Sequence, residues 1–407
     1  MVPRDTLREI IRWGGKMLEG PGRRFLRLDE STLLAAARRR ARCQDLGAPA
    51  VHEPLHRLLE SLRSEAQLNL MGCIAAREDL TRMLVNRLQL ERDRHLHPEI
   101  AGEEIRQPLF ITGLPRSGST LLHSLLARDP ASRVPLNWET LHPSPPPERA
   151  TYNTDRRCAL AEREIRWFHR LQPEFRKIHP VGARLPEECV VILSHTFLSF
   201  QFSSTYFVPS YQAWLEQQDL RPAYEFHRRF LQHLQWRCPA ERWVLKAPPH
   251  WPGLDALFAV YPDARVILTH RDPLEVVPSV ASLHFVLRRT FSDAIDPIAV
   301  GPEVSQMLAN DIARGMRLLD QSGGPPGRVL DVRYPDLLRD PLGMVRKIYA
   351  YFDLPLLPQV EARMRQCLVE NPQDKNGRHE YSLEQFGLDA DTERQRYRAY
   401  CERFGLC

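Results

Sequence analysis

The spacing of apolar residues changes near residue 108. Before that point they recur at three- and four-residue intervals, which predicts helices over 31–42 and 54–63. The clearest case is 79–88, where Leu80, Met83, Leu84, Val85 and Leu88 share one helical stripe. After it, short apolar runs alternate with helical stretches. Runs at 109–112, 243–245, 265–269 and 329–332 predict strands, each followed by a helix, over 119–127, 251–261, 273–288 and 341–352. Buried runs joined by helical crossovers imply an α/β fold: a parallel sheet covered on both faces, with right-handed connections. The chain divides into an N-terminal helical region, 1–105, and an α/β domain, 106–407. Between the first two strands, 140–238 is too long for a simple crossover and reads as a helical insertion rich in aromatic residues, which could line a substrate pocket.

Composition narrows the class. With 407 residues, 43% hydrophobic and 26% charged, the chain has ample material for a large core, and neither disorder nor a collagen-like repeat fits. A net charge of +5 gives no reason to expect nucleic acid. Residues 1–45 carry eleven basic against six acidic residues, which allows a membrane-surface role for the N-terminal helices, although a solvated helical face explains the same pattern. Only five of the basic residues are lysines, so a lysine inside a motif stands out. The eight cysteines show no metal-ligand spacing and suit a reducing, cytoplasmic setting; no metal is expected. No apolar run is long enough to span a bilayer, and the first sixteen residues lack the apolar stretch of a secretory signal.

The strongest chemical signal is Gly113-Leu114-Pro115-Arg116-Ser117-Gly118-Ser119-Thr120, set between a strand and a helix. Two glycines with four residues between them, followed by hydroxyls, form a phosphate-binding loop of P-loop-NTPase-like type. The N–H groups of Ser117, Gly118, Ser119 and Thr120 would face an anion, aided by the helix N-terminus. Ser119 stands where a triphosphate site has its lysine, and the cation is instead Arg116. The loop suits an anion other than a nucleoside triphosphate.

This loop resembles the 5′-phosphosulfate loop of sulfotransferases that use 3′-phosphoadenosine 5′-phosphosulfate (PAPS); the version with Arg is similar to that of the tyrosylprotein and bacterial branches. A second motif strengthens the resemblance. The strand 265–269 leads into Thr269-His270-Arg271-Asp272-Pro273, with Ser279 eight residues beyond Arg271. A strand-end arginine can grip a phosphate through two donors, and a serine two turns into the next helix can add another. In the family this pair is similar to the 3′-phosphate site. The resemblance covers roughly 106–407 and implies PAPS as donor, 3′-phosphoadenosine 5′-phosphate as product, and no required metal.

Sulfuryl transfer needs cations around the migrating group and a base for the acceptor hydroxyl. Arg116 is one cation. Lys246, at the end of the second strand, is the other, matching the family's lysine position. Three places offer the base. Glu139, in Asn137-Trp138-Glu139-Thr140, resembles the Glu-Thr element of the tyrosylprotein branch, and Trp138 could desolvate it. His250 lies four residues beyond Lys246, where cytosolic members carry the histidine after two. Glu187 and Glu188 fall in the insertion and could contact the acceptor. Tyr334 and the polar stretch Lys375–His379 could approach the nucleotide. The acceptor would be a small-molecule or lipid-like hydroxyl compound. A phosphotransferase on the same fold, and a non-catalytic nucleotide- or partner-binding protein, are the competing readings.

Overall fold

The computed structural model describes residues 28–174, 181–322, 327–371 and 381–406. Two of the sequence expectations therefore fall outside the described residues: most of the basic N-terminal stretch and the loop 375–379.

Three helices open the described chain: α1 (Glu30–Ala41), α2 (His52–Ser64) and α3 (Leu70–Leu96). Asp29 caps α1 and Asn69 caps α3, each accepting a backbone N–H of the first turn. Then come β1 (Leu109–Gly113), α4 (Ser119–Leu126), β2 (Ser132–Arg133), α5 (Asn137–Leu141) and α6 (Arg156–Leu171). The insertion continues with α7 (Cys189–Ser194), α8 (Gln201–Thr205), α9 (Pro209–Leu215) and α10 (Arg221–Gln235). The second half runs β3 (Arg242–Lys246), α11 (Leu254–Val260), β4 (Arg265–His270), α12 (Pro273–Phe291), α13 (Pro297–Ser322), β5 (Val329–Arg333), α14 (Tyr334–Arg339), α15 (Pro341–Tyr351), α16 (Pro358–Glu370) and α17 (Ala390–Phe404).

The five strands are all parallel, in the order β2-β3-β1-β4-β5. The chain leaves β1 toward β3 on one side and later returns to β4 on the other. The carboxyl end of β1 is thus the switch point where such sheets bind ligands. Alternation along the central strands feeds two cores. Phe110, Leu245, Val266 and Leu268 pack into one, with Leu80, Leu84 and Leu88 of α3 and Phe197 and Phe230 of the insertion. Leu109, Ile111, Val244 and Ile267 pack into the other, with Leu122 and Leu125 of α4. The N-terminal helices therefore share a core with the sheet's helical cover. Most of the insertion's aromatic residues are spent here: Phe197, Phe202, Tyr206 and Tyr211 are buried in this core.

Among the elements that escaped the sequence pattern, β2 and α13 have plain reasons. The strand β2 is only two residues long, too short to register as a run, yet it extends the sheet beyond β3. The 26-residue α13 contains Gly301, Pro302 and Gly315, which blur its periodicity.

Candidate functional site

The loop after β1 is built on close backbone approach. Gly113 has φ +121°, and a Cβ there would sit 2.1 Å from the Thr269 carbonyl oxygen of the neighbouring strand. Gly118 has φ +84°, and a Cβ would come within 2.6 Å of Leu337. Neither place admits a side chain. Arg116 also holds a left-handed φ of 63°, a strained conformation for a residue with a side chain and one that recurs at functional turns. Ser117 is fully buried: its hydroxyl lies 2.6 Å from Thr269 Oγ1, which in turn donates to the Thr112 carbonyl at 2.9 Å. The side chain of Ser117 thus ties the loop to β4. Ser119 opens α4 and is buried, while Thr120 is exposed.

The second motif meets the first across 163 residues of chain. Arg116 Nε donates to Ser279 Oγ at 3.2 Å. Arg271 donates through one terminal nitrogen to the Arg116 carbonyl at 2.7 Å. The same guanidinium lies 4.3 Å over the ring of Tyr334 and pairs with Glu275 at 2.7 Å. Arg116, Arg271, Ser279 and Tyr334 therefore converge at one edge of the sheet. Behind them, Tyr400 of α17 accepts the Arg271 N–H, and its hydroxyl lies 3.0 Å from His270 Nδ1. His270 Nε2 reaches Asp331 at 2.9 Å, and its ring stacks on Phe404 at 3.8 Å. This C-terminal support gave no signal in the sequence, because it depends on α17 folding back over β4.

On the other side of the loop, Lys246 is 3% exposed. It donates to Thr120 Oγ1 at 3.1 Å and forms an ion pair with Glu188. Residues 135–138 run beside 183–187 and bring Glu188 there. Leu136 bridges Pro186, and the N–H groups of Asn137, Trp138 and Glu187 bond to Leu185, Ala183 and Pro135 at 3.1, 3.0 and 2.8 Å. Glu187, recessed beside Glu188, accepts from Asn137 Nδ2 and from the Glu188 N–H at 2.8 Å. Burial, with the neighbouring Glu188 charge adding to it, pushes its carboxyl up to about 7.

Two predicted bases are not brought into this cleft. Glu139 is fully buried, and both oxygens are engaged: Arg133 of β2 donates at 2.6 Å and the Leu136 N–H at 2.9 Å. Its Arg133 partner donates to the Leu234 and Cys238 carbonyls and lies 4.6 Å over the Trp243 ring. Glu139 reaches back to the N–H of Leu136 at the start of α5 and is half of an ion pair closed off from solvent. Burial and Glu139 together push the nearby Tyr152 phenol upward, a sign of how closed this region is. His250 is also fully buried: Nδ1 lies 2.7 Å from the Tyr224 hydroxyl, and its ring meets Phe110 edge-on at 5.0 Å. Desolvation, then His227, holds its pKa well below the usual value, so it stays neutral inside the core.

Residues 108–358 match the model of a family described as the sulfotransferase family. The chain is 29% identical over 297 residues to the omega-hydroxy-beta-dihydromenaquinone-9 sulfotransferase Stf3 of Mycobacterium bovis, covering 68% of this chain and 71% of that protein; the Mycobacterium tuberculosis protein of the same name matches equally. Among solved structures, the sulfotransferase STF9 of Mycobacterium avium superposes with a TM-score of 0.84 at 28% identity, over 93% of this chain and 97% of that one. STF1 of M. tuberculosis superposes with a TM-score of 0.82 at 31% identity, over 91% and 98%.

Proposed function

The chain belongs to the sulfotransferase family, and from that premise we propose that it moves a sulfuryl group from PAPS to the hydroxyl of an apolar, lipid-like acceptor. The observation that carries the donor assignment is the meeting of Arg271 and Ser279 with Arg116 at the phosphate loop. Two separate anion-binding elements at one sheet edge suit a nucleotide with a phosphate at each end. Glu275 occupies the Arg271 guanidinium from the solvent side, and a 3′-phosphate dianion would take its place. Tyr400 and His270 act as positioning residues for Arg271. Ser119 in the lysine position of a triphosphate loop speaks against a phosphotransferase.

For the chemical step, Glu188 takes the role of base. The acceptor O–H gives its proton to the Glu188 carboxylate as its oxygen attacks sulfur in line. The new O–S bond forms while the bond from sulfur to the bridging oxygen breaks. The electron pair leaves on the 5′-phosphate of 3′-phosphoadenosine 5′-phosphate. Lys246, Arg116 and the loop N–H groups meet that developing charge. In the resting protein Lys246 and Glu188 hold each other; donor binding draws the ammonium toward the bridging oxygen and frees the carboxylate for the acceptor. Glu187, part-protonated near neutrality, sits behind Glu188 and keeps a second full negative charge out of the cleft. The lipid-like acceptor is supported by the named substrate of the Stf3 relatives.

Calorimetric titration with 3′-phosphoadenosine 5′-phosphate and with ADP tests the donor reading. Strong preference for the 3′-phosphorylated nucleotide is expected, and equal or preferential binding of ADP overturns it. Transfer of labelled sulfate from PAPS to a panel of polyprenyl and short alcohols tests the acceptor.

A further inference from the structure

One face of α6 carries a pattern that sulfuryl transfer leaves unexplained. Arg156, Ala159, Arg163, Arg166, Trp167 and Arg170 recur at helical spacing along it, and all six are exposed. Among the described residues none of these four arginines takes part in an ion pair. Trp167 is 56% exposed, whereas Trp138, Trp243 and Trp251 are almost completely buried. The opposite face is packed: Cys158, Ala161 and Ile165 form a cluster with Trp138 and Ala183. The helix's acids are turned off the basic face. Glu162 accepts the Ala183 N–H at 3.2 Å, and Glu164 lies 3.1 Å from His142. Arg157 is also withdrawn, donating to Asp155 at 2.7 Å with its guanidinium 4.7 Å over Trp138. A shallow depression of about 410 Å³ runs between α6 and residues 182–185, beside Leu185, which is 44% exposed.

We propose that this face docks on an anionic lipid bilayer. Four arginines that form no ion pair among the described residues complement a negative surface, and a tryptophan among them is the side chain that settles at a membrane–water boundary. The position has a consequence for the reaction. The stretch that starts at Ala183, bonded to α6, reaches Glu188 in five residues, a span of at most about 18 Å. The base would then stand at most about 30 Å from the lipid surface, the width of the helix added to that span, and a membrane-resident acceptor would extend its hydroxyl over that distance. Only this last step rests on the lipid-acceptor reading.

The test is co-sedimentation of the full chain with phosphatidylcholine vesicles, with and without phosphatidylglycerol. Binding is expected only with the anionic lipid and should fall as salt rises. The Arg166→Gln/Arg170→Gln variant should bind about twenty-five-fold more weakly, or about fivefold per arginine. Trp167→Ala should weaken binding, and Trp167→Phe should restore part of it. Titration with 3′-phosphoadenosine 5′-phosphate should be the same for all of them, so loss of docking is separable from failure of the donor reading. Equal vesicle binding by the wild type and the double-arginine variant, or retention on heparin without vesicle binding, overturns the proposal.

Discussion

Two acid–base pairs lie near β3, and they share almost the same chemistry. Arg133 with Glu139 lies beneath α5; Lys246 with Glu188 lies at the carboxyl end of β3. Side chains of the first pair are 8% and 0% exposed, and those of the second 4% and 17%. The first pair is closed by two carbonyls, a tryptophan face and a helix-capping N–H. The second borders the phosphate loop through Thr120. A charged pair sealed on every side has no empty geometry to lend to a substrate; one that faces the anion loop can exchange its partner for a ligand.

Breaking the second pair should have the largest effect. Glu188→Gln is expected to lower kcat by about 10²–10⁴-fold with little change in Tm. Steady-state rates and a thermal melt decide it; a wild-type rate would transfer the base elsewhere. Breaking the first pair should act on the fold. Glu139→Gln leaves Arg133 buried without its counter-charge and should cost about 3–5 kcal/mol of stability. Its kcat per folded molecule should stay close to wild type. A large kcat loss at unchanged Tm would reverse the comparison and restore Glu139 as the base.

The next two tests sharpen the picture. Arg271→Ala should weaken 3′-phosphoadenosine 5′-phosphate binding about 10–100-fold, as loss of charge-assisted hydrogen bonds implies, while leaving ADP binding nearly unchanged. Calorimetry with both nucleotides separates these outcomes. The smallest effect is on pH dependence. The carboxyl of Glu187 is raised above its unfolded value, to about 7. The folded state therefore binds the extra proton, and this contribution to stability is complete below about pH 4.5 and lost as pH rises through 7. The slope is at most about 1.4 kcal/mol per pH unit. Glu187→Gln should flatten the denaturation midpoint across that window, and an unchanged slope would place the titration elsewhere.

Much of the proposed donor side was legible in the chain. Gly113, Gly118 and Thr120 sit in one contiguous loop, and Arg271 with Ser279 sit in one strand–helix unit, so local spacing reports their geometry. The proposed acceptor side was not. Glu139 and Glu188 each lie in or beside a short helix, and each has an apolar neighbour. What separates them is Arg133, delivered by a two-residue strand too short to show in the pattern, and the pairing of 135–138 with 183–187. The position of His250 was hidden for a related reason: the turn after β3 carries it into the core, against Tyr224 of α10.

By itself, then, the order of residues determined a parallel α/β sheet, a glycine-rich strand-to-helix loop without a triphosphate lysine, and an arginine at a second strand end. These follow from backbone constraints acting over a few residues. Only the tertiary structure decided which carboxylate meets Lys246. A buried charge is fixed by the partner that reaches it, and those partners come from segments 58 residues apart for Lys246 and Glu188. It also decided that the four arginines of α6 stand together on an exposed face, since the packing of Cys158, Ala161 and Ile165 against Trp138 fixes the helix's rotation.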